Sequence, residues 1–173
     1  MRLIVLALGL LALSAPAAMA EEPIKWVVSD TGGSRIEVPS FFVEGKVDPS
    51  FLEGKSFKPK NYPGAEFRQY DGSGEITPFE YIRRIIVGDE DDDYKPEYLI
   101  KHPPDKITYT SDKSDIGVIS GTHEYGKLIY FGMCRKHEPD IHITCFDMTW
   151  SKKDKAIFEP IAKRIAQSFR KNK

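Results

Sequence analysis

Two cysteines place the tightest constraint on this 173-residue chain. Cys134 and Cys145 lie in two runs, residues 128–135 and 141–150, whose residues alternate as half-buried strands do. Between the runs, Glu138-Pro139-Asp140-Ile141 is a turn signal. A hairpin symmetric about Pro139-Asp140 sets Cys134 directly opposite Cys145. The same register gathers Ile129, Phe131, Met133, Phe146, Met148 and Trp150 on one face. Leu128, Tyr130, Ile143, the two cysteines, Asp147 and Thr149 fall on the other. A slip of one residue would break both patterns. The C-x-x-C spacing of a redox pair is absent, so the sequence predicts a structural disulfide between Cys134 and Cys145. Closing so short a loop contributes about 2–3 kcal/mol on the chain-entropy model. His137 falls opposite His142 in this register. A zinc site needs a third or fourth ligand, and the sequence places none, so the pair reads as polar residues at an exposed loop tip.

A disulfide implies an oxidising compartment, and the N-terminus supplies the address. Arg2, the apolar run 3–13 and Ala18-Met19-Ala20 ahead of Glu21-Glu22-Pro23 read as a cleaved secretory signal over residues 1–20. The run is well short of the roughly 20 residues that a membrane-spanning helix needs. No cysteine follows the cleavage region to carry a lipid. The expectation is a periplasmic or secreted protein with no transmembrane segment after cleavage, folded as one globular domain over residues 21–173.

Lys plus Arg total 25 and Asp plus Glu total 26. Arg2 is the only charge in the first twenty residues, so cleavage leaves 24 bases against 26 acids. With no basic excess, nucleic acid is not the expected partner. Ten Phe, eight Tyr and two Trp suffice for a packed core and argue against disorder.

Residues 24–29 and 35–38 flank Asp30-Thr31-Gly32-Gly33 as an N-terminal hairpin. Residues 39–63, rich in Pro, Gly and Lys, read as a long loop pinned by aromatics, and 65–70 as a strand. Thr77-Pro78-Phe79-Glu80 opens a helix by a capping box, with Phe79, Ile82 and Ile86 as its buried stripe. Residues 94–102 suggest a short helix ended by Pro103-Pro104. Strands follow at 107–110 and 116–120, then a turn over 121–126. Ser151 is the expected cap of a last helix in which Ile157, Phe158, Ile161, Ala162, Ile165 and Phe169 recur at helical spacing. Pro160 should kink that helix or delay its regular part. Hairpins without a repeated βαβ unit predict an α+β fold, an antiparallel sheet with helices packed on it.

Residues 69–80 resemble an EF-hand loop. With Gln69 first, Asp71, Ser73, Glu75 and Glu80 occupy calcium-ligand positions, and Gly74 sits at the sharp turn. Gln replaces the usual first Asp, and Tyr62-Pro63-Gly64 stands where an incoming helix belongs. Asp71-Gly72-Ser73-Gly74 before a capped helix has the same letters for local reasons, which is the favoured reading. The acidic run 89–93 reads as a solvated loop, with a divalent cation or basic partner as the alternative. Residues 151–173 carry eight bases and two acids, suited to a helix's outer face or to an anionic envelope surface. Gly117-Val118-Ile119-Ser120-Gly121 misses the nucleophile-elbow spacing and leads into a turn. No HExxH, P-loop or dinucleotide fingerprint occurs, so no catalytic residue, cofactor or metal is assigned.

Several pieces in order carry a resemblance: Val118-Ile119-Ser120-Gly121-Thr122, a strand with Tyr130 and Cys134, Cys145-Phe146-Asp147, and a final helix ending Arg164-Ile165-Ala166-Gln167-Ser168-Phe169-Arg170. Together they resemble uncharacterised proteobacterial periplasmic proteins of the Mog/PsbP-like α/β/α sandwich group. Residues 89–93 and 96–99 look like additions to that pattern. The resemblance implies a sandwich fold and an accessory or binding role, with no catalytic residues to carry over. The expectation is therefore an exported, non-catalytic domain that binds a partner protein, ligand or envelope component. The alternatives are a small periplasmic hydrolase built from distant carboxylates or histidines, and a calcium-responsive module.

Overall fold

The computed structural model describes residues 23–31, 33–45, 54–88, 104–137 and 141–171. Seven strands form an antiparallel sheet in the order β3-β4-β5-β9-β8-β7-β6. These are β3 Phe42–Gly45, β4 Gly54–Pro59, β5 Glu66–Ser73, β6 Pro104–Asp112, β7 Ile116–His123, β8 Leu128–His137 and β9 His142–Ser151. A second sheet of three strands pairs β1 (Trp26–Asp30) and β10 (Arg170–Lys171) on either side of β2 (Ser34–Pro39). Helix α1 (Pro78–Ile86) covers one face of the large sheet. Helix α2 (Lys155–Ser168) and the small sheet lie on the other.

The β8–β9 hairpin has the expected register: Cys134 faces Cys145, and His137 faces His142. Cys134 and Cys145 are joined by a disulfide. Both sulfur residues point to the α1 side, where they pack with Tyr70, Ile119, Tyr130 and Ile143 under Ile82 and Ile86. The alternate residues Met133, Phe146, Met148 and Trp150 point the other way, onto Ile36, Val38, Phe158, Ile161 and Ile165. One sheet thus divides two cores, as strict alternation demands.

Helix α1 starts as its capping letters require. The Thr77 side chain accepts the Glu80 backbone N–H at 3.1 Å, Pro78 opens the first turn, and Glu80 pairs with Arg84 at 2.8 Å. It ends at Gly88, whose φ of 97° suits glycine. The helix sits close to the sheet because two strand positions beneath it lack side chains. A Cβ on Gly117 would meet the Phe79 backbone, and one on Gly132 would meet Ile82 and Ile86. Ile82 and Ile86 are fully buried, each contributing about 1.5–3 kcal/mol.

Four expectations need correction. Residues 39–63 are not a plain loop: β3 and β4 lie within them, paired from Phe42↔Pro59 to Gly45↔Ser56. Ser151 ends β9 and makes no side-chain cap. A 3-10 turn, Lys152–Asp154, intervenes before α2, which then runs through Pro160 without interruption. Strand β6 begins at Pro104, three residues ahead of the expected start. Residues 1–20, the acidic run 89–93, the expected short helix 94–102 and the turn residues 138–140 lie outside the described residues. No helix among the described residues is long and apolar enough to cross a membrane.

Candidate binding groove and buried polar clusters

Three places on this scaffold concentrate chemistry, and only one opens as a groove. The first is an ion pair inside the α1-side core. Arg68 on β5 and Asp147 on β9 are register partners, with Arg68 Nε 2.9 Å from Asp147 Oδ1. Both are buried, and Tyr70 lies beside the same carboxylate. Burial pushes the Asp147 carboxyl above the usual carboxylate range, and the Arg68 guanidinium only partly offsets it. Burial and then the Asp147 charge push the Tyr70 phenol well up. Tyr130, its ring tilted against the buried His123 ring at 4.4 Å, is pushed up to about 12 by burial. Two perturbed groups therefore converge here, as a hydrolase would require. The groove described below is not lined by Arg68, Tyr70 or Asp147, and the cluster reads as an internal ion pair.

The second place is where the β1–β2 turn docks on the end of β5. The Gly33 N–H donates to Asp71 Oδ2 at 3.1 Å, and Thr31 Oγ1 donates to Asp71 Oδ1 at 3.3 Å. Gln69 Nε2 donates to the Ser34 carbonyl at 3.0 Å and accepts from Ser29 Oγ through Oε1 at 2.7 Å. The residues at the first two ligand positions of the EF-like segment, Gln69 and Asp71, are thus fasteners for the N-terminal hairpin. Ser73 ends β5 opposite His142, Glu75 lies in the connection beyond it, and Glu80 faces Arg84 on α1. Gln69, Asp71 and Ser73 share one face of β5 but are strung along an extended strand, and Glu80 lies on α1, so the segment is not curled as an EF-hand loop is. His137 and His142 stack at 6.4 Å, but His137 is buried rather than exposed, because its Nε2 lies 2.9 Å from the buried Thr144 Oγ1. Among the described residues, no three His, Cys, Asp or Glu side chains converge as a metal site.

The third place is a groove of about 1110 Å³ on the α2 side, between β1, the β2–β3 corner, the β4–β5 turn and the first half of α2. Trp26, Phe41, Tyr62, Ile157 and Pro160 line it. Its lip is apolar and open: Ile24, Val43 and Ile157 are each more than 40% exposed. The floor is rigid. Tyr62 packs edge-on against Phe158 at 5.1 Å, and Phe41 stacks on Phe42 at 5.2 Å. Lys60 and Arg164 are the charged residues lining it. The Arg164 guanidinium lies 4.1 Å over the Trp26 ring and is held by Glu37, with Nη2 2.9 Å from Oε2. A cation on an aromatic face, fixed by a carboxylate from behind, is a rigid half-buried anchor.

Sequence reasoning missed this groove because its walls come from four separated segments. The loop reading of 39–63 concealed two of them. Arg164 had been visible only as one base in a cationic C-terminus. His123, which the sequence assigned no role, is fully buried against Tyr130. The near-miss Gly117–Gly121 lies within β7 and leads to a hairpin turn, as its context implied.

No protein-family model matches the chain, and no curated protein matches its sequence. Solved structures do share its shape. The solution structure of cyanobacterial PsbP (CyanoP) from Synechocystis sp. PCC 6803 superposes with a TM-score of 0.59 at 9% identity, covering 92% of this chain and 99% of that one. The Ran-binding protein Mog1p of Saccharomyces cerevisiae gives 0.53 at 7% identity, covering 86% and 96%. Identities this low establish the fold alone: an α+β sandwich of the PsbP and Mog1p type.

Proposed function

We propose that this chain is an exported binding domain that receives an apolar, acidic protein segment in the groove between its small sheet and α2. Export rests on the signal-like residues 1–20, and the Cys134–Cys145 disulfide is consistent with an oxidising compartment. The observation that carries the binding role is the lining of the groove. Exposed aliphatic residues surround a rigid aromatic floor, and its charged side chains are both cations. Clustered apolar surface with a polar rim marks an interaction site, and charge complementarity selects a partner with carboxylates. That Mog1p, a protein of the same fold, is described as Ran-binding supports a protein as the occupant.

A library of random twelve-residue peptides selected against residues 21–173 tests this. Selected peptides should combine aromatic or aliphatic anchors with Asp or Glu and lose binding at least tenfold to the Ile157→Glu variant. Selection of basic peptides, or binding indifferent to Ile157→Glu, would contradict the reading.

A further inference from the structure

Strand β6 forms one edge of the seven-stranded sheet and β3 forms the other. The β3 edge is four residues long, whereas β6 runs for nine, Pro104–Asp112. Every residue of 105–110 is exposed, among them Ile107 at 42% and Tyr109 at 56%. One side of this backbone pairs with β7, and among the described residues no further strand lies beyond the other. An exposed edge of this kind is a template for one more strand.

The charges of β6 select which strand that is. When two identical strands pair antiparallel about a two-fold axis, the axis must fall between two copies of one residue, because an axis on a hydrogen bond would exchange donor with acceptor. Centred on Ile107, Lys106 faces Thr108; centred on Thr108, it faces Thr110. Centred on Thr110, Asp112 faces Thr108. Centred on Tyr109, Lys106 faces Asp112 and Asp105 faces Lys113, with no like charges opposed. The two-fold repeats both pairs, so opposite charges flank a Tyr109–Tyr109 contact at each end. All four of these charged side chains are exposed, and none has a salt-bridge partner among the described residues. Edge charges deter indiscriminate strand pairing, and here they leave one register that matches. Bulges between Pro104 and Lys106 and between Ile107 and Tyr109 sharpen the twist of this edge, which keeps the contact short. We infer that two copies of this chain associate weakly through β6, antiparallel about Tyr109, joining their large sheets edge to edge. The contact lies on the opposite edge of the sheet from the groove, which Val43 of β3 lines, and stands whether or not the groove reading does.

Sedimentation equilibrium of the purified protein reads the association directly. A monomer–dimer equilibrium is expected with a Kd of about 10–1,000 μM, the weak class that a small interface gives. Tyr109→Asp sets like charges face to face on the axis and should abolish the dimer while preserving the melting temperature. Lys106→Asp should weaken association about tenfold or more. Adding Asp112→Lys to that variant exchanges the two charges and should restore the Kd to within about threefold of the starting value. Ile157→Glu should leave the dimer unchanged, which separates this contact from the groove. A protein still monomeric at about 1 mM would overturn the proposal. So would a dimer indifferent to Tyr109→Asp, a charge exchange that restores nothing, or a dimer lost in Ile157→Glu.

Discussion

The two faces of the seven-stranded sheet are built from the same strands by the same alternation, yet they are finished differently. On the α1 face, glycines at 117 and 132 let the helix press close, the disulfide ties β8 to β9, and Arg68 and Asp147 are sealed inside. On the α2 face, alanines replace bulk, the small sheet covers one end, and two cavities open between the layers. The α1 face is closed throughout, whereas the α2 face holds the larger core and leaves openings at its margins. Substitutions in either core should therefore change stability, and on our proposal only those on the lip of the groove change binding with folding intact.

The largest stability effect is expected at the internal ion pair. Arg68→Met leaves the Asp147 carboxylate buried without its partner, a loss of about 3–5 kcal/mol in chemical denaturation. The double variant Arg68→Met/Asp147→Leu should recover most of it. The single variant's deficit should shrink as pH falls. Burial already holds the Asp147 pKa above its unfolded value, so the native state binds a proton first and the uncompensated charge disappears. A deficit that persists in the double variant would place the loss in packing rather than charge.

Removing the disulfide comes next. Cys134→Ala with Cys145→Ala should cost about 3 kcal/mol by chain entropy, measured as a lower denaturant midpoint.

Those two effects rest on parts of the fold that were unequally legible. The cystine register was readable because Pro139-Asp140 fixes a turn and every other residue of both runs agrees with it. The α1 cap was readable for a similar reason, since Thr77, Pro78 and Glu80 are local chemistry. Strands β3 and β4 were not: their apolar signal is mainly Phe42 and Phe57, and Pro39, Pro59 and Pro63 mask it with loop chemistry. The Arg68–Asp147 pair spans 79 residues, and no local pattern encodes a partner at that distance. The EF-like spacing shows the converse, since polar letters that read as local turn chemistry also make long-range contacts. Asp71 and Gln69 are polar because they fasten the β1–β2 turn, a tertiary demand that mimics a ligand set in sequence.

A smaller effect is expected at Tyr130, whose buried hydroxyl has no hydrogen-bond partner among the described residues. Tyr130→Phe should change stability at neutral pH by less than about 1 kcal/mol. Its signature lies in alkali. Between an unfolded pKa of 10.0 and a native one of about 12, the native state holds more protons, so stability falls as pH rises. The variant should lose that share of the alkaline slope, and an unchanged slope would contradict the assigned environment.

The smallest stability effect belongs to the contact face. Ile157→Glu lies on an exposed lip and should shift unfolding by no more than about 0.5 kcal/mol. A large destabilisation would mean that the groove is part of the core rather than a docking site.

The central proposal is that the α2-side groove receives a protein segment and that the chain does so outside the cytosol. The direct measurement is photo-crosslinking in the exporting cell, with a photoreactive residue at position 157 in the groove or position 84 on the outer face of α1. Crosslinks from position 157 to one defined segment rich in apolar and acidic residues, absent from position 84, are the predicted result. Equal crosslinking from both positions, or none from position 157, would contradict it.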